Sequence, residues 1–458
     1  MTAGSASVGR FSGEHVVVVG AGVAGAAAAQ VLLAEGASVT VSEARPLADL
    51  PSAGTLVEAG VVVLAGGHDP SHLAGATLVV TGPGVPEQAP ILAWARAEGI
   101  QVWGEMELGA RICAVPYIAV TGTNGKTTVT GMIAACLQAA GTDAVACGNI
   151  GHPFPSAAQE DHQALVVECS SFQLRLQESL HPRVSVLLNL APDHLDWHGS
   201  FDAYAGAKAS IYRNQSEDDV HVGNRDDPAA RAVSDRAPCP VIWTTEHEPR
   251  AGEVGIVDGQ VVSRAFGQDE VLANLTGDRA GWPADLAAAA TAALAFGVPA
   301  EAVRGGLASF TPASHRGETV ATVAGVRFID NSKATNVHAA LAAIGSVERA
   351  VLIAGGRAKG ADLTPLRDVA DHLSAVFVIG EAAPQLMQVF AGVVPIAEAT
   401  SIEEAVRSAF DAARSAGDVV LLAPACASWD QFTDYAERGD RFARAARTLA
   451  EVSADGRS

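Results

Sequence analysis

The stretch Val120-Thr121-Gly122-Thr123-Asn124-Gly125-Lys126-Thr127-Thr128 follows an apolar run, Tyr117 to Val120, and opens a helix-compatible segment, Val129 to Ala140. Strand, glycine loop and helix in that order make a phosphate site. Gly122 and Gly125 let the backbone approach phosphate oxygens, the helix start offers free N–H groups, Lys126 adds charge, and the Thr127 hydroxyl suits Mg²⁺. The implied ligand is ATP. A full Walker A would carry its first glycine at position 120, where Val120 stands, so the shorter G-T-N-G-K-T form is narrower than a generic loop.

Composition bounds what surrounds this loop. The 458 residues have room for about three domains, and 49% apolar residues supply a core to each. Lys and Arg total 30 against 51 Asp and Glu, a net charge of −21, which opposes a nucleic-acid or anionic-membrane surface. Six cysteines (113, 136, 147, 169, 239 and 426) form no C-x-x-C pair, which favours a reducing compartment without structural disulfide or zinc. Met1 to His15 lacks a basic n-region and an apolar h-region, so the expected location is cytoplasmic. Val16 to Val41 approaches membrane-span length, but Gln30, Glu35 and its glycines make it a strand, turn and helix with no membrane insertion.

Within that unit Gly20-Ala21-Gly22-Val23-Ala24-Gly25 follows Val16 to Val19, a helix runs to Ala34, and a strand from Ser38 to Val41 ends at Glu43. The pattern is a dinucleotide fingerprint with its acidic ribose partner, although the glycines report only close approach to phosphate and leave NAD(P), FAD and other nucleotides open. Strands at Val61 to Leu64 and Leu78 to Val80 continue a parallel sheet. The turn Gly82-Pro83-Gly84-Val85 after the latter lies where such a sheet binds ligands, and reads equally as a plain turn.

A second α/β unit begins near Arg111, with strands Asp143 to Cys147, Ala164 to Val167 and Val184 to Leu188. Their exits, Gly148-Asn149-Ile150-Gly151, Glu168-Cys169-Ser170-Ser171-Phe172 and Asn189 to Asp196, should converge on the Lys126 loop. Residues 214 to 280 show a hairpin at Asp258-Gly259 and no recognisable chemistry. Ser309 to Arg316 reads as a linker, after which strand–helix alternation resumes. The strands of this third unit end at Asp330 to Asn336, Gly355 to Gly360, Gly380-Glu381 and Pro424 to Asp430, and Glu451 to Ser458 reads as a frayed tail.

Glu168 at a strand end, the Thr127 hydroxyl and the cluster Asp193, His194 and Asp196 suit Mg²⁺, a hard ion that bridges to phosphates. By residue type alone His194 is as readily an ordinary hydrogen-bonded histidine, and Lys208 a solvated lysine on a short helix. Lys333, Lys359 and Arg316, cations at loop exits of an acidic protein, point to anionic ligands.

Together these motifs resemble the Mur ligases, the ATP-dependent amide-forming enzymes of peptidoglycan precursor synthesis, over nearly the whole chain from Gly20 to Asp440. The resemblance rests on G-T-N-G-K-T-T at 122–128, G-N-I-G at 148–151, E-C-S-S-F-Q-L at 168–174 and D-H-L-D at 193–196. It extends to D-N-S-K-A-T-N at 330–336, G-G-R-A-K-G at 355–360 and P-A-C-A-S-W-D-Q-F at 424–432, which look like the D-glutamate-adding branch. It implies an α/β fold in three domains: a Rossmann-like UDP-sugar-binding domain at 1–108, a central P-loop ATPase-like domain with a mostly parallel sheet at 109–312, and a Rossmann-like amino-acid-binding ligase domain at 313–458.

The implied reaction joins D-glutamate to UDP-N-acetylmuramoyl-L-alanine through an acyl phosphate, with ATP and two Mg²⁺ ions and no obligate protein partner. The resemblance places Lys126 on the transferred phosphoryl group, Thr127 and Glu168 on one Mg²⁺, and His194 with a carbamylated Lys208 on a second. Gly122, Thr123, Asn124, Gly125, Thr127, Thr128, Arg316 and Asp330 would hold the nucleotide. Gly22, Arg45, Gly82, Gly84 and Asn149 would hold the UDP-sugar, making the first domain a UDP site and not an NAD site. Lys333, Thr335, Lys359, Ser428 and Tyr435, with Ser332, would surround ATP and D-glutamate.

Three positions depart from the family pattern: Gly281-Trp282-Pro283-Ala284-Asp285 replaces an H-N-x-x-N element near the adenine, Asn331 replaces an acidic residue, and Tyr435 replaces a common Phe. The rivals are an NAD-dependent oxidoreductase, which leaves the Lys126 loop unexplained, a non-catalytic muropeptide-binding protein, and a Mur ligase adding another amino acid. No D-N-P-R element of the diaminopimelate-adding branch is present.

Overall fold

The computed structural model describes residues 9–267, 269–276, 281–312 and 314–455, apart from the side chains of 196 and 452–455. They form two compact units, Met1–Asn274 with Pro283–Phe310, and Leu275–Trp282 with Thr311–Ser458. Two of the three sheets belong to the first unit.

The first sheet is built from β1 (His15–Val19), β2 (Ser38–Glu43), β3 (Val62–Ala65), β4 (Leu78–Thr81) and β5 (Gln101–Gly104), in the order β3-β2-β1-β4-β5 and parallel throughout. Val16 to Val19 are fully buried because a central parallel strand is covered on both faces, which a continuous valine run satisfies. Small residues let the helix Val23–Ala34 lie close against its strand. A Cβ at Gly25 would meet the Gly20 carbonyl oxygen at 2.0 Å, so only glycine permits this loop-to-helix approach.

The second sheet contains β6 (Tyr117–Thr121), β7 (Ala144–Gly148), β8 (Ala164–Glu168), β9 (Val184–Leu187), β10 (Val220–Asn224), β11 (Val241–Thr244), β12 (Glu253–Val257), β13 (Gln260–Ser263) and β14 (Glu270–Asn274). Its order is β14-β13-β12-β11-β10-β9-β6-β8-β7, parallel except for the antiparallel pairs of β12, β13 and β14. The Asp258-Gly259 hairpin is present. Both residues have positive φ, 48° and 72°, the two-residue turn whose twist matches its strands. The phosphate-loop helix Lys126–Ala139 packs against Pro283–Phe296 and Ala300–Ser309. Leu286 to Ala293 are buried, their small side chains allowing close helix packing.

The third sheet, in the second unit, runs β15 (Glu318–Val323), β16 (Val326–Asp330), β20 (Val419–Leu422), β17 (Ala350–Gly355), β18 (Leu373–Ile379) and β19 (Ile396–Glu398) from edge to edge. It is parallel apart from the β15–β16 hairpin, a departure from simple strand–helix alternation made possible by Ala324 and Gly325 at positive φ. The last helix extends from Tyr435 to Asp455, so the chain stays helical beyond Glu451, where the tail was expected to fray. Residues 456–458 of that tail lie outside the described residues. Among the described residues no helix is long and apolar enough to cross a membrane.

Candidate active site

In the first sheet the chain reverses strand order between β1 and β4, and a cleft opens at the carboxyl ends of these strands, where such sheets hold ligands. Its volume is about 740 Å³. Gly20, Gly22 to Gly25, Glu43, Arg45, and Gly82 to Pro86 line it from the first sheet, and Gly148 to Gly151 from the second. Gly22, Arg45, Gly82, Gly84 and Asn149 therefore meet at one cleft.

Glu43, the expected ribose partner, borders the cleft but is buried and hydrogen-bonded to the protein. Its Oε2 accepts from Ala21 N–H at 2.7 Å and Arg45 Nη2 at 3.0 Å, and its Oε1 from Arg45 N–H at 2.9 Å. Burial raises the pKa of this carboxyl, but the Arg45 and Ala21 hydrogen bonds outweigh it and bring the group down to about 2. Both oxygens are thus committed to protein donors, which removes the main argument for a dinucleotide.

In the second sheet the expected exits converge. Cys169 N–H donates to Val120 O at 2.8 Å, Thr123 N–H to Asn189 O at 2.9 Å, and Asn149 N–H to Glu168 O at 2.9 Å. Asn189 is a loop clamp that sequence reasoning did not assign: its Oδ1 accepts from Asn124 N–H at 2.8 Å, and its Nδ2 donates to Asn124 O at 3.2 Å. Tyr204, equally unassigned, bonds Thr123 Oγ1 through its hydroxyl at 2.9 Å. Neither had a sequence signal because each partner is distant in the chain. Gly125 holds φ 83°, opening the helix at Lys126 with half-buried Thr127 and buried Thr128 in its first turn.

Lys126 Nζ donates to Gly122 O at 2.9 Å and to Thr123 O at 2.8 Å. Lys208, which residue type alone made a solvated lysine, is buried instead, its Nζ 2.7 Å from Gly122 O and 4.8 Å from the centre of the Tyr204 ring. Burial first, and the nearby charge of Lys126 second, push its pKa well below the ordinary lysine value. Its surroundings thus disfavour the charged form.

The residues expected at magnesium can be tested on their own chemistry. Glu168 Oε1 accepts from Asn149 Nδ2 at 2.8 Å, while its Oε2 is buried without a hydrogen-bond partner. A buried carboxylate oxygen left so is costly, and a hard cation would satisfy it. Among the described residues no three His, Cys, Asp or Glu side chains form a metal cage. His194 holds φ 53° and packs its ring edge-on to Phe172 at 4.8 Å, with Asp193 Oδ2 at 3.6 Å from its Nε2. The Asp196 side chain lies outside the described residues.

In the second unit Asp330 is fully buried, accepting from Ser332 N–H at 2.8 Å and lying 2.7 Å from His315 Nδ1. It braces the loop that carries Lys333, whose Nζ lies 3.7 Å from the centre of the Tyr435 ring. Thr335 N–H donates to Lys333 O at 2.8 Å, and Arg316 adjoins His315 at the start of the unit. Ser428 is buried at the exit of β20, and Lys359 is exposed at the exit of β17. Buried Arg438 links these exits, donating to Ser332 O at 2.9 Å, Cys426 O at 3.1 Å and Gly355 O at 3.3 Å.

Three family models match successive parts of the chain: "Mur ligase MurD-like, N-terminal domain" over 14–104, "Mur ligase middle domain" over 120–273, and "Mur ligase, glutamate ligase domain" over 315–426. Among relatives, the UDP-N-acetylmuramoylalanine--D-glutamate ligase of Thermobifida fusca is 42% identical, covering 96% of this chain and 99% of its own. The chain belongs to the Mur ligase family. The similarly named protein of Frankia casuarinae is also 42% identical, over 95% of this chain and 94% of its own. Among solved Mur ligase structures, MurF from Acinetobacter baumannii superposes with a TM-score of 0.61 at 17% identity, covering 90% of this chain and 86% of that one. UDP-N-acetylmuramate-alanine ligase MurC from Thermotoga maritima gives 0.59 at 16% identity, over 95% and 99%. At such identities these two establish the shared Mur ligase fold.

Proposed function

We propose that this Mur ligase adds D-glutamate to UDP-N-acetylmuramoyl-L-alanine, using ATP and Mg²⁺ and releasing ADP and phosphate. The observation that carries the reading is a cleft of about 740 Å³ in the same unit as a phosphate loop whose Lys126 lies beside buried Lys208. The name and length of the Thermobifida fusca relative support the choice of amino acid. We place the reaction in the cytoplasm, where ATP is available.

A carboxylate is a poor acyl donor because its leaving group would be oxide. The carboxylate oxygen of the muramoyl-L-alanine substrate therefore attacks the γ-phosphorus of ATP, the bond to the β-phosphate oxygen breaks, and ADP leaves. The amine of D-glutamate adds to the carbonyl carbon of the resulting acyl phosphate. Loss of a proton from nitrogen and of phosphate from carbon gives the amide.

Most of this is positioning and charge neutralisation. Lys126 contributes charge to the transferred phosphoryl group, Gly122 to Thr128 with Arg316 secure the nucleotide, and buried Asp330 braces the Lys333 loop. Arg45, Asn149 and the Gly22, Gly82 and Gly84 turns hold the UDP-sugar. Lys333, Thr335, Lys359, Ser428 and Tyr435 serve the incoming amino acid and the reacting phosphoryl group. Thr127 and Glu168 would hold one Mg²⁺ and His194 with Lys208 a second, the metal neutralising phosphate charge when bound. Lys208 fits this set as a carbamate, since a neutral amine adds CO₂ with loss of a proton and becomes an oxygen ligand.

The test is ADP release with UDP-N-acetylmuramoyl-L-alanine, ATP and Mg²⁺ in the presence of D-glutamate, L-glutamate, L-lysine, diaminopimelate or no amino acid. Turnover with D-glutamate alone is expected. Turnover with a different amino acid would move the assignment within the family, and none in any mixture would overturn catalysis.

A further inference from the structure

Trp429 is 59% exposed, although an indole gains most by burial. Single exposed apolar residues are ordinary on protein surfaces, so exposure by itself carries no meaning. Its partner does. Lys359 Nζ lies 4.2 Å from the centre of the Trp429 ring, within the distance at which an ammonium is drawn to an indole face.

The backbone builds this pair. β17 and β20 are parallel neighbours, so their carboxyl ends deliver two loops side by side. Arg357 N–H donates to Ala427 O at 2.8 Å, and Ala427 N–H returns a bond to Arg357 O at 3.0 Å. Lys359 and Trp429 each lie two residues beyond that bridge. Lys359 holds φ 51°, a left-handed conformation that a non-glycine residue keeps only where its surroundings impose it. Asp430 secures the far side, its Oδ2 accepting from Glu381 N–H at 2.9 Å.

Charge separates the two cations of the loop. Arg357 is taken up by Glu381, with bonds of 2.9 and 2.7 Å. Lys359, among the described residues, has no carboxylate within ion-pair distance. An aromatic face attracts an ammonium through its quadrupole without neutralising it, whereas a carboxylate would cancel the charge. Lys359 is thus held in place and still presents a full positive charge.

We propose that Trp429 is a positioning residue that seats the Lys359 ammonium for a carboxylate of the incoming amino acid. This rests on the ligase reading above and adds a specificity element to it. Steady-state kinetics of the full-length enzyme, with D-glutamate varied against saturating ATP and UDP-N-acetylmuramoyl-L-alanine, tests it. The expected result for Trp429→Leu is a rise of about two- to fivefold in the KM for D-glutamate, the size of an exposed cation–π contact, with the KM values of the other two substrates retained. Trp429→Phe, which keeps a ring, regains much of the loss. An unchanged D-glutamate KM in Trp429→Leu, a parallel rise in all three KM values, or Phe behaving like Leu would overturn the assignment. A wild-type enzyme inert toward D-glutamate would overturn the ligase reading itself, whatever the variants do.

Discussion

Lys208 Nζ donates to the Gly122 carbonyl oxygen at 2.7 Å, and Lys126 Nζ reaches the same oxygen at 2.9 Å. Two ammonium groups on one acceptor would repel, and burial favours the neutral form of Lys208. Lys208→Ala should lose most ligase activity, and millimolar formate or acetate should restore part of it by supplying the missing carboxylate oxygens. Phosphate release with and without these anions is the measurement. Wild-type activity in the variant, or loss with no rescue, would remove the carbamate from the mechanism.

Arg45 lines the cleft with its side chain half exposed and bound to Glu43 through two nitrogens. Arg45→Ala should raise the KM for the UDP-sugar substrate by about tenfold, the usual weight of a charge-assisted hydrogen bond, and leave that for ATP alone. Lysine should restore only part, because it cannot make the forked contact. Equal effects on both substrates would mean that the substitution disturbs the fold.

Glu105 is buried, with Gln173 Nε2 donating to its Oε1 at 2.7 Å and no partner for its Oε2. Burial raises its pKa from 4.5 to about 7 against the opposing Gln173 bond. The folded state therefore holds more protons than the unfolded state between these values. Its contribution to stability is complete below pH 4.5 and is lost as pH rises through 7, by on the order of 3 kcal/mol. Glu105→Gln should gain on the wild type at pH 8 relative to pH 5 in urea unfolding. The same difference at both pH values would contradict this.

His221 has the opposite sign. Its ring nitrogens meet Ser185 Oγ at 2.7 Å and Ser234 Oγ at 2.9 Å, and burial lowers its pKa from 6.5 to about 3. The unfolded state binds the extra proton, so stability is complete above pH 6.5 and declines as pH falls toward 3. Acidifying from pH 6.5 to 5 should remove about 2 kcal/mol through this group. His221→Gln should be less stable than wild type at pH 7 but flatter over that range, as read from denaturant midpoints. Parallel profiles would assign acid sensitivity elsewhere.

What could be read in the chain beforehand follows from how local each signal is. Val16 to Val19, the glycine loop after it and the Gly122–Lys126 loop carry their meaning within a dozen residues, and the structure places them as read. The Asp258-Gly259 hairpin was equally local. Strands β10, β11 and β14 were not legible: they are short, their burial is uneven, and only neighbouring strands make them strands. At the site, residue type identified Lys126 and Glu168, whereas burial of Lys208 is a property of packing. Asn189, Tyr204 and Arg438 act on backbone far away in sequence, so no pattern along the chain could reveal them.

The pairing of Glu43 gives the first cleft a subtractive kind of selectivity. A glycine loop of this design grips phosphate whatever else the ligand carries, and a free acid at the end of the second strand ordinarily counts hydroxyls on the sugar. Here that acid borders the cleft but is spent on Ala21 and Arg45, whose guanidinium lines the cleft beside it. The acid that would meet a sugar hydroxyl instead holds an arginine side chain at the rim of the cleft. What such a cleft accepts is therefore set by how one acid is paired as much as by the glycine loop beside it.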